Sequence, residues 1–133
     1  MAKAIHWPEP FREAILAETT EQLCCAFRLG TLYAEGQYWQ DGDVVDIRCN
    51  HLKTRCGKVV GDMMLMAIGE LTPEVLQYQK PSLQTIEAVK AFFQDHYQTH
   101  VSDETLISIV YYRNEPLDEA YMELTPDAGG RQL

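Results

Sequence analysis

The chain has 133 residues, a formal net charge of −9 and an apolar share of 46%, which fits one domain with a sizeable core and leaves little room for a second. No apolar run approaches the ~20 residues of a membrane helix, and a charged share of 23% is not that of a disordered chain. The acidic balance argues against a protein that coats nucleic acid through many Lys and Arg contacts, and against one that clings to anionic lipid.

The N-terminus, Met1-Ala2-Lys3-Ala4-Ile5-His6-Trp7, lacks the long apolar stretch of a secretory signal, so a cytoplasmic location is expected. Pro8 and Pro10 then flank a helix start. Phe11, Ala14 and Ile15 share one face, which predicts a short helix over Glu9–Ala17. Glu18-Thr19-Thr20-Glu21 has no apolar residue and reads as an elbow. Leu23–Leu29 is compact and apolar and reads as a buried strand that ends near Arg28. Thr31–Gln40 has no clear period and reads as a long loop with at most one helical turn. Asp41-Gly42-Asp43 is a turn signal, and Val44–Cys49 alternates as a strand.

Asn50–Gly57 reads as a polar hairpin loop, and Lys58–Leu71 as a long β segment bent at Gly61-Asp62. Thr72-Pro73 starts a short helix to about Gln79. Pro81-Ser82 restarts one with Ser82 as cap, and Leu83, Ile86, Val89, Phe93 and Tyr97 form its apolar stripe. The last strand is expected over Thr105–Tyr112, so residues 1–113 form the domain. Residues 114–133 form an acidic, loosely held tail.

Cys24, Cys25, Cys49 and Cys56 contain no Cys-x-x-Cys pair and read as small hydrophobes of a reducing compartment. Cys49, His51 and Cys56 do not have the spacing of a common zinc site, and no cofactor or metal is expected. His96 and His100 lie one helical turn apart and suit a helix end, where a cation complements the dipole.

The order of elements resembles the ASCH family, a branch of the PUA-like β-barrels. Phe11-Arg12-Glu13-Ala14-Ile15-Leu16-Ala17 looks like its first helix, Gly42-Asp43-Val44-Val45 like its turn into the second strand, and Ile68-Gly69-Glu70-Leu71-Thr72 like its strand-to-helix corner. The resemblance implies a small α+β mixed barrel of about five to six strands. An N-terminal helix, and a helical insertion before the last strand, belong to the same pattern. It also implies a ligand cleft between helix 1 and the barrel. Some members hydrolyse acylated cytidine with a lysine on the elbow beside a Thr and a Glu. Here the family's Gly falls at Glu18 and its Lys near Thr20, and no lysine occurs between Lys3 and Lys53. That mechanism does not transfer, and no catalytic residue is assigned.

Arg28 is the family-like cation left on the first strand. It suits a carboxylate, phosphate or base edge, or a structural pair with Glu18 or Glu21. Thr19, Thr20 and Glu21 are the polar cluster of the elbow, as ligand contacts or as local caps. Tyr33, Tyr38 and Trp39 suit stacking on a base or a plug at the barrel end. Arg48, Lys53, Arg55 and Lys58 hold four of the eleven Lys and Arg, with no acid between Asp46 and Asp62. Such an island suits phosphates, or a solvated hairpin edge.

Three functions follow. The first is a non-catalytic binding domain for RNA or a nucleotide-like ligand. The second is a protein-interaction domain with a vestigial cleft, and the third an amidohydrolase on acylated nucleosides. A membrane partner is not expected.

Overall fold

The computed structural model describes residues 3–117. Ten elements follow in order: β1 (Lys3–Trp7), α1 (Arg12–Ala17), β2 (Leu23–Leu29), α2 (Leu32–Glu35), β3 (Val44–Cys49), β4 (Leu52–Val59), β5 (Met64–Ala67), α3 (Pro73–Leu76), α4 (Ile86–Tyr97) and β6 (Leu106–Asn114). Short 3-10 turns lie at Glu9–Phe11, Ile68–Glu70 and Pro81–Leu83. The result is a small α+β domain around a mixed six-stranded sheet, the class expected from the sequence. Among the described residues no helix is long and apolar enough to cross a membrane. Most of the expected acidic tail, from residue 118 on, lies outside the described residues.

The central strand is β6. Its run Ile107-Ser108-Ile109-Val110 is buried on both faces, which explains the absence of a two-residue period there. One edge of β6 pairs antiparallel with all of β2, from Leu23 opposite Arg113 to Leu29 opposite Ile107. Its other edge takes β5 at the start and β4 at the end. β4 pairs antiparallel with β3, and β3 pairs parallel with β1, Ile5 opposite Ile47. The path therefore runs β1-β3-β4-β6-β2. A side chain spans the seam between its two ends: Arg28 Nη2 on β2 donates to His6 O on β1 at 2.6 Å.

The apolar run Leu23–Leu29 and the segment Val44–Cys49 after the Asp41-Gly42-Asp43 turn form strands as the pattern predicts. The expected loop over residues 50–57 does not. Asn50 and His51 both take left-handed backbone (φ 51° and 68°) and close a tight turn, so β4 begins at Leu52. Its charges are compatible with a strand because Lys53 pairs with Asp46 across the hairpin at 3.1 Å and Arg55 points inward. The expected long β segment 58–71 breaks after Val59 and resumes only at Met64–Ala67. β1 was not expected as a strand. Its alternation of buried Ile5 and Trp7 about exposed His6 lasts too few residues to stand out.

The long helix starts later than Ser82. Thr85 Oγ1 accepts from the Ala88 N–H at 3.1 Å, and residues 81–83 form a 3-10 turn instead. The α4 stripe of Val89 and Phe93 lies on the core, and Gln98 ends the helix in left-handed backbone.

Candidate functional site

Arg28 sits near the end of β2, opposite Ser108 on β6. Its Nη1 donates to Phe27 O at 2.7 Å and its Nη2 to His6 O. No carboxylate pairs with it among the described residues. Burial draws its pKa down, with Tyr97, Tyr112 and Tyr33 opposing, yet a guanidinium remains charged at any relevant pH. The indole rings of Trp7 and Trp39 flank it at 5.7 and 5.8 Å. A guanidinium uses only part of its five-donor fork on two carbonyls.

That cation faces a cavity of about 190 Å³. β1 supplies His6 and Trp7, β2 supplies Phe27 and Arg28, and α2 supplies Tyr33. The roof is α4, through Phe92, Phe93, His96 and Tyr97. The space slightly exceeds a cavity of roughly 150 Å³ that accepts benzene, so one aromatic ring fits. Two more of its lining residues, Gln79 and Trp7, carry buried donors. Gln79 is 5% exposed, and its Oε1 accepts from the Lys80 N–H at 2.8 Å, which fixes the amide orientation. Its Nε2 is then buried without an acceptor, as is the Trp7 Nε1. A buried donor left unpaired costs about 1–3 kcal/mol.

The Arg28 cavity is not the expected cleft under helix 1: no residue of α1 lines it, and a separate hollow is lined by Ala14 and Ala17 of α1 with Glu18 and Gln22. The reason is length and anchorage. α1 has six residues and packs on β4, whereas the twelve-residue α4 is long enough to roof the open end of the sheet. Thr19, Thr20 and Glu21 are exposed at the other end of β2, and none of them lines the cavity. Five residues of strand, about 17 Å, separate Leu23 from Arg28. Neither Glu18 nor Glu21 pairs with Arg28.

Of the aromatic loop, Tyr33 reaches the cavity. It stacks on Trp39 at 5.0 Å with an interplanar angle of 7°. Trp39 is buried in the core, and exposed Tyr38 meets it edge-on. The basic island is dispersed. Arg48 and Lys53 both bind Asp46 at 3.1 Å. Arg55 is 2% exposed and donates to Ile15 O, Glu18 O and Glu115 O. Lys58 is exposed on β4. Burial of Arg55 removes it from reach of an external phosphate. His96 lines the Arg28 cavity, stacked on Phe92 at 5.4 Å, while His100 lies beyond the helix end.

A buried polar cluster, unmarked by any sequence motif, lies beneath the elbow. Lys80, 1% exposed, places Nζ 2.6 Å from Glu18 Oε2 and 3.2 Å from Tyr112 Oη. It also stands 4.1 Å over the Trp7 ring. The Asn114 amide donates to Glu18 Oε1 at 3.1 Å. The sequence signal for Lys80 is thin: it is the only Lys or Arg between Lys58 and Lys90. Gln79 carried no signal, because an amide in a polar linker looks solvated. Cys24 and Cys25 flank this cluster, and burial pushes both thiols up to about 12, far from a nucleophilic state.

The backbone as a whole superposes on solved structures. An ASCH domain from Lactobacillus crispatus JV V101 superposes with a TM-score of 0.56 at 11% identity, covering 77% of this chain and 69% of that one. The fold is of the ASCH type. A DUF984 protein from Enterococcus faecalis V583 is also similar, with a TM-score of 0.59 at 11% identity over 86% of this chain and 81% of that one. No family model matches the chain, and no curated protein matches its sequence. At such identity the likeness fixes the ASCH fold and leaves the activity to the residues of the site.

Proposed function

We propose that this ASCH-type domain is a binding module for a single-ring, nucleotide-like ligand held in the Arg28 cleft, with no chemistry performed on it. One observation carries the reading. The Arg28 guanidinium has no carboxylate partner among the described residues, and Gln79 Nε2 and Trp7 Nε1 are buried without acceptors. The residues that carry these donors line an aromatic cavity sized for one ring. A pyrimidine offers such a ring with carbonyl acceptors at its edge. Stacking on Tyr33, Phe92 or His96 would add about 1–3 kcal/mol per base.

Calorimetry with uridine and cytidine tests this. Saturable binding at a single site is expected. Arg28→Lys, which cannot present the same fork, should weaken it tenfold or more. Gln79→Glu keeps an acceptor for the Lys80 N–H but loses the free donor, and should weaken binding in the same direction. Absence of binding to either nucleoside at millimolar concentration would contradict the reading.

A second reading, an amidohydrolase on acylated nucleosides, is favoured by Lys80. It delivers an amine to the elbow from another part of the chain, 2.6 Å from Glu18. A hollow of about 200 Å³ lined by Glu18, Gln22, Gln77 and Gln84 opens beside it. Release of cytidine from acylated cytidine would support this reading, and an intact substrate after prolonged incubation would remove it.

A further inference from the structure

The Arg28 cleft adjoins a second hollow of about 360 Å³, and the two share His6, Trp7, Pro8 and His96. The second hollow adds Glu9, Asn50 and His51. We propose that this hollow is a phosphate compartment: a phosphate monoester on a ring held in the Arg28 cleft is bound there by His6 and His51, with uptake of protons. The inference rests on the reading of that cleft as the ring site and deepens it to a mononucleotide.

The geometry is that of two imidazoles around one space. The His6 and His51 rings lie 5.7 Å apart, tilted by 57°, on β1 and on the β3–β4 turn. Both are exposed. The charges facing His6 come from every element around it. Arg28 on β2 donates to its carbonyl. Arg48 on β3 is its register partner and donates to His51 O at 2.9 Å. His96 approaches from α4. Glu9, the acid of the compartment, is held by Arg12 at 2.8 Å and its charge is compensated. Asp46 binds Arg48 and also Lys53, so it compensates Arg48 only in part.

The free site thus gathers cations around a single lining acid, Glu9, whose charge Arg12 compensates. Burial, then Arg28, His51 and Arg48, hold the His6 imidazole below its ordinary value of 6.5. An anion reverses that pressure: it binds the protonated ring better, so its binding raises the pKa and takes up protons. A phosphate monoester has its own second ionisation near about 6. Affinity therefore falls as pH rises and His6 gives up its proton.

The test compares uridine, uridine 5′-monophosphate and the diester uridylyl-uridine by calorimetry from pH 5.5 to 8, in buffers of different ionisation heat. The expected result is a monophosphate at least tenfold tighter than uridine near pH 6, with net proton uptake, and an advantage that shrinks tenfold by pH 8. His51→Asn, which tolerates the left-handed backbone of the turn, should bring the monophosphate close to uridine. Equal affinities for uridine and its monophosphate, or no proton uptake, would overturn the phosphate compartment while leaving the ring site standing. A diester that binds as tightly as the monoester would overturn the mononucleotide in favour of an RNA strand. Failure of all three compounds would remove the ring site and the compartment together.

Discussion

Lys80 shows how one residue ties several parts of this molecule together. Its ammonium meets Glu18 from the elbow, Tyr112 from β6 and the Trp7 ring from β1. Two charges this deeply buried are held by geometry rather than by net Coulomb gain, and removing one leaves the other uncompensated. Lys80→Met should therefore cost about 3–5 kcal/mol in urea unfolding. The double variant Lys80→Met, Glu18→Leu should recover much of that loss, because neither charge is then stranded. A double variant as unstable as the single one would mean that the Trp7 and Tyr112 contacts, not the charge pair, carry the effect. Arg28 is different. Its partners are carbonyls, so it closes the seam between β1 and β2 while part of its donor fork remains for a ligand.

At the level of elements, α4 matters most, because it positions Phe92, Phe93, His96 and Tyr97 over the cleft. Its Thr85 cap and left-handed Gln98 set its length. Gln98→Gly should stabilise the protein by about 1 kcal/mol, since glycine adopts φ 54° without the penalty of a β-carbon. An unchanged unfolding midpoint would mean that the lost Gln98 side-chain bond to Asp95 O offsets the relief. The apolar stripe of this helix and the strands β2 and β3 were legible because long or compact apolar patterns dominate local structure. The hairpin was not, for a reason visible at Asn50 and His51. A two-residue turn without glycine leaves little signal, and strand charges look like loop charges until Asp46 and the inward turn of Arg55 are seen. Arg28 was legible as an isolated cation on an apolar strand. Its roof was not, because nothing in a sequence says which helix covers which end of a sheet. Gln79 and Trp7 escaped notice since an unpaired donor is a property of packing, not of composition.

For the molecule as a whole, pH offers a check on the charge arrangement. The folded His6 pKa lies below its unfolded value of 6.5, so the unfolded chain binds more protons in the window just below 6.5. The ligand-free protein should lose stability as pH falls through that window. A second loss should follow at lower pH, when Asp43 and Glu9, held low by Lys3 and Arg12, become protonated. Thermal melts from pH 8 to 3 should show both steps, and His6→Asn should abolish the first. A first step that survives the substitution would place its origin elsewhere. Ligand binding in the Arg28 cleft is tested by a nuclear magnetic resonance titration with uridine 5′-monophosphate, following the Trp7 indole N–H, the Gln79 side-chain amide and the Arg28 Nε–H. These signals should move together and saturate while those of Thr19, Thr20 and Glu21 stay fixed. Signals that move at the elbow while the Arg28 cleft stays silent would contradict it.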